Sequence, residues 1–399
     1  MGSKAGRMPR NVWILTGIAL GVAVGYGVVN PVLPVFAASF GVDEFAAAAV
    51  ISAFALMRLV FAPAVGALAD RWGHRAVLVA GVLIVAASSV GVGFAASYAQ
   101  LLALRGLGGI GSAMFSVAAM TVLLASVEAG RRGRASALFQ GGFLVGAVSG
   151  PAIGGLLAGI SLRAPFFFYA ATLAGAAAVA LGLQPIPAAG PGAGGGQTAS
   201  GGVGAKPLRQ VLRDRRYQAA LLAHLAQGWN MNGARGALIP LFVAAYLVAD
   251  PARAALGAGV ALSVAAGVQM AVIWPAGWIV DRYGRRAPMV GGALLAGLAL
   301  AALPASRSLA ALSALLAVYA LAAAVIGTAP TAAVGDAAGP GATRAIALYS
   351  MAGDAGAVVG PLAAGWLASQ VSYPAAFAAG AGLWGVSALV SARMRPERR

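Results

Sequence analysis

The sequence predicts an all-α polytopic membrane protein, with twelve transmembrane helices in two pseudo-symmetric six-helix bundles. First, 60% of the 399 residues are hydrophobic and only 9% are charged. Second, the chain holds many apolar runs of about 20 residues, the length at which a helix crosses the hydrocarbon of a bilayer. Third, a charged stretch occurs twice, half a chain apart. The apolar runs lack the alternation of barrel strands, so helices are the expected way to satisfy the backbone in lipid.

The repeated stretch is Gly66–Arg75, which recurs at residues 277–286. Its two aspartates, Asp70 and Asp281, are 211 positions apart. Further segments repeat at a similar spacing: Gly150-Pro151 matches Gly360-Pro361 at 210 positions, and residues 101–105 match 315–319 at 214 positions, which equates Arg105 with Tyr319. A parallel repeat of six spans is a known transporter plan, in which the binding site lies between the halves near the middle of the membrane.

The hydropathy pattern divides the chain into a first bundle at residues 1–184, a linker at 185–216 and a second bundle at 217–399. The linker is rich in glycine, which predicts a flexible coil. Its basic end, Leu208–Arg216, fits either an interfacial helix or a solvated charged loop. We place spans 1 to 12, in order, at residues 11–38, 45–69, 76–96, 98–125, 134–160, 164–184, 217–247, 256–280, 287–305, 308–332, 343–370 and 373–394.

The basic residues orient these spans. Twenty-one Lys and Arg residues fall in the two tails and the loops on their side, whereas the other side has Arg163, Arg253 and Arg307 only. The positive-inside rule therefore predicts that both termini and the linker are cytoplasmic. Arginine outnumbers lysine 25 to 2 and alanine and glycine abound, as in GC-rich bacteria, so we expect a bacterial cytoplasmic (inner) membrane. The excess charge is explained by topology, and no nucleic-acid partner is expected.

The composition does not favour metal binding, enzymatic catalysis or ATP hydrolysis. The chain has no cysteine and two histidines, His74 and His224, which cannot build a metal cluster. A membrane enzyme would need a nucleophile–base or metal constellation, and none is evident. No phosphate-binding loop with a Gly-Lys-Ser/Thr ending is present, so ATP drive is not expected. We therefore expect a monomeric carrier that needs no cofactor or metal, and whose partners are protons, a small molecule and the lipid bilayer.

The loop between spans 2 and 3 resembles the signature loop of the major facilitator superfamily: glycine, x, leucine, alanine, aspartate, arginine, x, glycine and basic residues. The resemblance implies the twelve-span fold of drug/proton antiporters and a loop that latches the halves on the cytoplasmic side. Asp70, Arg71 and Arg75 would then be gating residues. The family has Arg or Lys where His74 stands, and Arg75 is expected to take that role. In the second copy, the gating residues would be Asp281 and Arg285.

Asp70 ends span 2, where the dipole of its own helix opposes its charge. We therefore expect its carboxylate to contact an arginine or the positive end of another helix. Span 11, which begins near Arg344 on the same side, is the candidate.

Span 5 carries glycines every four residues together with Pro151, a pattern that resembles the antiporter signature of exporters. Small residues at this spacing let helices approach closely, and proline permits a bend. Gly146, Gly150 and Pro151 are thus predicted to serve gating, a role compatible with packing. Span 1 ends in Asn30-Pro31, which either resembles the first-span motif of drug exporters or is a plain helix terminator.

Four charges fall inside spans: Arg58, Arg105, Arg235 and Asp354. Each costs about 3 kcal/mol on insertion scales, so each marks a functional site unless it pairs with another helix. Arg105 matches the family's span-4 arginine, which the resemblance associates with proton coupling. Asp354 is the one acidic residue clear of the span ends, so we expect it to carry the proton.

Polar side chains in spans predict the walls of a substrate cavity, because exposing them to lipid is costly. The candidates are Tyr26, Asn30, Arg58, Gln227, Asn230, Asn232, Arg235, Gln269, Tyr319 and Tyr349. The expected function is proton-coupled efflux of small drug-like or amphipathic molecules by alternating access. The alternative is proton-coupled transport of an organic anion, sugar or lipid-like metabolite. Span 1 lacks the acid of several cation exporters, and three arginines against one aspartate favour an anionic or neutral substrate.

Overall fold

A computed structural model describes residues 8–128, 131–184, 208–338 and 343–394, without the side chains of Arg132, Asp281 and Thr343. Within these ranges the regular structure is entirely helical. Ten helices are long and apolar enough to cross a membrane, and Ala164–Ala180 is a shorter apolar helix. The remaining crossing, span 7, consists of four consecutive helical segments. The predicted twelve-span helical fold is confirmed.

The first bundle contains spans 1 to 6. Span 1 is split into Arg10–Val29 and Leu33–Ala38, and spans 2 to 6 are Glu44–Trp72, His74–Phe94, Tyr98–Ala125, Arg132–Ile160 and Ala164–Ala180. The expected continuous helix over 11–38 is therefore interrupted. Pro31 lies in the three-residue turn between the two helices, where its missing N–H does not cost a helical hydrogen bond.

The second bundle contains spans 7 to 12 and is preceded by a short helix, Leu208–Arg213. Span 7 runs through Arg215–Trp229, Asn230–Leu238, Ile239–Phe242 and Val243–Leu247, of which the second and fourth segments are π-helical. Spans 8 to 12 are Pro251–Tyr283, Arg286–Ala302, Leu309–Ala338, Thr343–Gln370 and Tyr373–Ala392.

The basic end of the linker contains a short helix. Leu208–Arg213 is helical, with Val211 buried and Leu212 exposed. The predicted flexible coil at residues 185–207 lies outside the described residues.

Span 1 begins and span 12 ends on the same side of the protein, which we call the terminal face. The other side is the opposite face. Nδ2 of Asn11 donates hydrogen bonds to Oγ of Ser126 and to the carbonyl of Gln184, so the start of span 1 is tied to the ends of spans 4 and 6. A guanidinium nitrogen of Arg215 donates to the carbonyl of Arg393, which ties the start of span 7 to the end of span 12.

Both copies of the charged stretch turn through a glycine with positive φ. Gly73 has φ 85° and Gly284 has φ 75°. These left-handed conformations are strained for residues with a Cβ, which explains the glycine in each copy. The sequence repeat thus reproduces the same turn at the terminal face of each bundle.

A second pair of glycines shows the symmetry inside the membrane. A Cβ on Gly27 of span 1 would lie 3.0 Å from Cα of Gly150 and 3.3 Å from Pro151 of span 5. A Cβ on Gly233 of span 7 would lie 2.7 Å from Gly360 and 3.2 Å from Pro361 of span 11. The glycine–proline pairs of spans 5 and 11 therefore receive the glycines of spans 1 and 7 at backbone contact, as small residues permit in lipid.

Candidate functional site

The two bundles are joined near mid-membrane by an ion pair between two of the predicted residues. A guanidinium nitrogen of Arg58, on span 2, lies 2.7 Å from Oδ1 of Asp354, on span 11. The side chains are 39% and 35% exposed, so the pair is accessible from outside the protein core. The one acidic residue expected at depth thus bonds to an arginine of the other bundle.

Further polar contacts between the bundles lie between this ion pair and the opposite face. Oγ of Ser52 donates to the carbonyl of Val358 at 2.7 Å, and the N–H of Ala152 donates to Oγ of Ser263 at 2.8 Å. At the ends of spans 2 and 12, the hydroxyl of Tyr373 donates to Oε1 of Glu44 at 3.3 Å.

Glycine packing closes the same half of the protein. A Cβ on Gly155 of span 5 would lie 2.7 Å from Cα of Leu256 in span 8. A Cβ on Gly365 of span 11 would lie 2.7 Å from the carbonyl of Glu44 in span 2. The bundles are therefore packed together from mid-membrane to the opposite face.

The predicted gating loops show a different arrangement at the terminal face. Asp70 is exposed, and its carboxylate has no hydrogen bond or ion pair with the described residues. A Cβ on Gly66 would have no neighbour within 4 Å. The expected contact between Asp70 and span 11 is thus absent from the part of the chain that the structure describes.

The basic residues of the two loops bond within their own bundles. A guanidinium nitrogen of Arg75 donates to the carbonyl of Leu181, at the end of span 6. Arg285 donates from Nε to Oδ2 of Asp336, at the end of span 10, over 3.0 Å. Arg71 is exposed, and the side chain of Asp281 lies outside the described part of the chain.

Arg105 is buried at 6% exposure and lies on span 4. Its guanidinium carbon is 4.5 Å from the centre of the Phe54 ring, a cation–π contact with span 2. The Tyr26 ring of span 1 lies 6.1 Å from the same Phe54 ring. No carboxylate partner is found in the described ranges, and its Nε has no hydrogen-bond acceptor.

Arg235 is likewise buried at 6% exposure and lies in the first π-helical segment of span 7. Its guanidinium carbon is 5.9 Å from the centre of the Tyr319 ring of span 10. One guanidinium nitrogen contacts the sulfur of Met231 at 3.5 Å, while Nε has no acceptor. Like Arg105, it forms no ion pair with any described carboxylate.

The remaining cavity candidates divide by exposure. Tyr26 is 37% exposed, and Asn30, Gln227, Asn232 and Gln269 are half-buried. Asn230 is fully buried, and its Nδ2 donates to the carbonyls of Ala226 and Gly380. Tyr319 and Tyr349 are buried at 3% and 8% exposure.

His224 also lies in this region, although its sequence context suggested no role beyond that of a histidine unable to build a metal cluster. Its ring stacks on Tyr349 at 4.1 Å, and its Nδ1 lies 3.4 Å from Oε1 of Gln227. The hydroxyl of Tyr349 lies 3.2 Å from Oγ1 of Thr331. This polar cluster adjoins Gly353, the residue before Asp354. A lone histidine within an apolar span is the sequence feature that could have indicated the cluster.

Two hollows lie away from these residues. One, of about 630 Å³, lies between spans 8 and 10 at the opposite face and is lined mostly by apolar side chains with Arg253 and Ser313. The other, of about 360 Å³, is an apolar groove between spans 8, 9 and 10. Neither includes a residue of the ion pair or of the two buried arginines.

A family model described as "Major Facilitator Superfamily" matches residues 15–248 and 220–399. The chain is 29% identical over 166 residues to "Quinolone resistance protein NorA" of Staphylococcus aureus (strain MRSA252), which covers 40% of this chain and 42% of that protein. It is 32% identical over 149 residues to "Multidrug resistance protein 1" of Bacillus subtilis (strain 168), covering 37% and 38%.

The alignment therefore spans about two fifths of the length of these curated relatives. Solved structures match over nearly the whole fold. The nucleoside transporter NupG aligns with a TM-score of 0.75 at 15% identity, over 96% of this chain and 98% of that one. An inward-facing, occupied bacterial homolog of the human lysosomal transporter Spinster aligns with a TM-score of 0.77 at 17% identity, over 97% of both chains. With a family model matching both halves, the chain belongs to the major facilitator superfamily, and its helices are those of a multi-pass membrane protein.

Proposed function

We propose that the protein is a proton-coupled exporter of small drug-like or amphipathic molecules that works by alternating access. The observation that carries the proposal is the ion pair between Arg58 and Asp354, since it places the one acidic residue of the mid-membrane region at the junction of the bundles. An ionisable group at such depth is costly and marks a candidate functional site, and here its carboxylate pairs with an arginine of the other bundle.

The ion pair gives a physical link between protonation and movement. While Asp354 is ionised, it holds span 11 to span 2. Protonation removes its charge, and a neutral carboxyl group binds a guanidinium more weakly than a carboxylate does. A proton on Asp354 therefore favours separation of the bundles at the opposite face, whereas its release favours the arrangement seen here.

The charge distribution supports an assignment of the two faces to the two sides of the membrane. If the basic terminal face is cytoplasmic, as the positive-inside rule predicts, the structure is closed toward the outside and represents an inward-facing state. In the proposed cycle, Asp354 releases its proton to the cytoplasm in this state, and the carrier then receives substrate from inside. Proton entry from outside would exchange for that substrate in the outward-facing state.

The relatives support efflux of drug-like molecules. The names of the Staphylococcus and Bacillus proteins refer to quinolone resistance and multidrug resistance. The glycines of span 5 add to this support, since the sequence pattern Gly146, Gly150 and Pro151 resembles the antiporter signature, and span 5 packs on span 8 of the other bundle at Gly155.

The test is transport driven by a pH gradient in proteoliposomes, measured with a panel of anionic, neutral and cationic amphipathic dyes. The wild type should accumulate at least one dye when the gradient is imposed, and Asp354→Asn should lose this gradient-driven accumulation. Glu128→Gln is the control, since it removes an exposed carboxylate between spans 4 and 5 that pairs with no described side chain. Gradient-driven accumulation that persists in Asp354→Asn would overturn the proposal.

A second candidate is the transport of an organic anion. The observation that favours it is the presence of Arg105 and Arg235, two buried cations for which the described residues provide no carboxylate. The same dye panel distinguishes the candidates by the charge of the dyes that are accumulated.

A further inference from the structure

The larger of the two hollows lies at the opposite-face ends of spans 8 and 10, near the last residues of span 7. Its volume of about 630 Å³ is within the range of ligand pockets in proteins. Its walls are apolar apart from Arg253 and Ser313, and Oγ of Ser313 is already bonded to the carbonyl of Leu309 in its own helix. The proposed proton pathway does not use this hollow, which therefore needs an explanation of its own.

The part of span 8 that lines the hollow faces away from the protein core. Arg253 and Val260 are exposed, as is Val264 one turn further on, and their spacing puts all three on one side of the helix. The buried residues of the same stretch lie on the other side: Ala255, Ala258 and Leu262. The bundles are packed together in this half of the protein, so this exposed apolar face meets the hydrocarbon of the bilayer.

Two arginines lie at the outer end of the hollow. Arg253 is part of its wall, and Arg307 belongs to the loop that enters span 10, two residues before the wall residue Leu309. Both are exposed, and neither guanidinium is bonded to a described residue. Arg163, the third basic residue of this face, instead donates to two backbone carbonyls at the end of span 3. The arginines of this face that lack a described partner are therefore concentrated at the hollow.

One carboxylate lies close to these arginines. Asp250 precedes span 8, and its Oδ1 accepts a 2.7 Å hydrogen bond from the backbone N–H of Arg253. This carboxylate caps the helix and forms no ion pair with the guanidinium of Arg253. Two arginines and one aspartate leave one net positive charge at the end of a hollow with apolar walls. An amphipathic anion complements this arrangement, with its charged group at the rim and its apolar chain in the hollow.

We propose that the hollow binds a phospholipid with an anionic headgroup. The phosphate lies at Arg253, while Arg307 adds to the positive potential that attracts it, and the acyl chain lies along Val260 and the first turns of span 10. A guanidinium suits the phosphate because it donates N–H groups in a fixed, paired geometry. A lipid provides both parts of the required chemistry and reaches the hollow from the bilayer. The inference goes beyond the proposed transport function and does not depend on it.

The proposal is tested by the quenching of a fluorescent label beside the hollow. The chain contains no cysteine, so Val264→Cys can be labelled with bimane at a single position. The labelled protein is placed in phosphatidylcholine bilayers that contain a small fraction of either phosphatidylglycerol or phosphatidylcholine with brominated acyl chains, since bromine quenches a label that it contacts. Brominated phosphatidylglycerol should quench as though it binds about fivefold more strongly than brominated phosphatidylcholine, as expected for one arginine near a headgroup.

Three variants of the labelled protein separate charge from shape. Arg253→Gln combined with Arg307→Gln removes the guanidinium groups but keeps the backbone N–H that Asp250 caps, and it should abolish the preference for phosphatidylglycerol. Ala310→Trp fills the hollow from its wall, keeps both arginines and should also abolish the preference. Arg163→Gln is the matched control, because it removes one arginine from the same face of the other bundle and should leave the preference unchanged.

Equal quenching by the two brominated lipids, or a preference that persists without Arg253 and Arg307, would overturn the proposal. A preference that survives Ala310→Trp, or one that is lost in Arg163→Gln, would show general attraction of anionic lipid to this face and contradict a site in the hollow. If the variants do not give monodisperse protein, the labelled Val264→Cys protein decides. Unbrominated phosphatidylglycerol should relieve the quenching by brominated phosphatidylglycerol, and unbrominated phosphatidylethanolamine should not; relief by both, or by neither, would refute the site.

The same bilayers distinguish a lipid from a transported molecule. An amphipathic dye that relieves the quenching by both brominated lipids equally would assign the hollow to a small molecule and contradict the proposal. The measurement records lipid contact and needs no pH gradient. A preference for phosphatidylglycerol in a protein without gradient-driven transport would leave the lipid site intact and refute the proposed coupling alone.

Discussion

Asp354 of span 11 accepts a 2.7 Å hydrogen bond from Arg58 of span 2, across 296 positions of sequence and across the boundary between the bundles. Both side chains are more than one third exposed. Ion pairs of this kind contribute about 1 kcal/mol or less to stability. Such a weak ion pair is better suited to forming and breaking during transport than to holding the fold together.

Reversal of the ion pair tests this relationship. Arg58→Asp places two carboxylates together and should reduce transport at least about tenfold, because the like charges repel. Adding Asp354→Arg should recover part of the bundle contact. Thermal unfolding of the single and double variants measures the coupling, which we expect to be about 1 kcal/mol. A swapped variant that is no better than Arg58→Asp would argue against a direct pair.

The packing of spans 1 and 5 leads to a second prediction. A Cβ on Gly154 would lie 2.0 Å from the carbonyl oxygen of Val28, which belongs to a helical backbone and cannot move aside easily. Gly154→Ala should destabilise the protein by about 1–3 kcal/mol, as overpacking does. Gly141→Ala is the control in the same span, since nothing lies within 4 Å of its Cβ position, and it should be neutral or slightly stabilising. Equal thermal stability of the two variants would contradict the packing described.

His224 and Gly353 lead to a third prediction. A Cβ on Gly353 would lie 2.4 Å from Nε2 of His224, so Gly353→Ala must displace the imidazole ring. Gly353→Ala should lower stability by about 1 kcal/mol or more, and His224→Ala should relieve much of that loss in the double variant. Gly335→Ala, at a glycine with no neighbour within 4 Å, is the control. Additive effects of the two substitutions would show that the ring does not lie against Gly353.

The absence of cysteine allows a cross-linking test of the closed opposite side. Oγ of Ser52 donates to the carbonyl of Val358 at 2.7 Å, so these two residues are neighbours across the boundary between the bundles and suit a cross-linking experiment. Ser52→Cys with Val358→Cys should cross-link under oxidising conditions and stop transport, and a reductant should restore it. Each single variant should be insensitive to oxidant. A cross-linked protein with normal transport would contradict the requirement that the bundles separate here.

The extent to which sequence predicted this structure depends on the kind of information. Hydropathy located the spans because crossing the bilayer imposes length and composition on each helix. It did not reveal the π-helical segment Asn230–Leu238, since a change of hydrogen-bond register leaves hydropathy unaltered. Charge in an apolar run identified Arg58 and Asp354 separately, but their pairing depends on how spans 2 and 11 cross.

Polar residues were harder to place. Asn230 was expected in the cavity because an amide in lipid is costly, but carbonyl groups inside its own bundle satisfy its Nδ2. Asp70 was expected to meet span 11, and it has no partner among the described residues in this state. A contact that belongs to one conformation of a carrier is encoded in the sequence but visible only in that conformation.

The central claim is that Asp354 couples substrate movement to proton movement, and paired measurements in one set of proteoliposomes test it most directly. Uptake driven by a pH gradient requires coupling, whereas counterflow of labelled against unlabelled substrate without a gradient requires only binding and alternation of the carrier. Asp354→Asn should lose the gradient-driven uptake and retain counterflow. Gradient-driven uptake at the wild-type level in Asp354→Asn, or the loss of both activities in correctly folded protein, would contradict the claim.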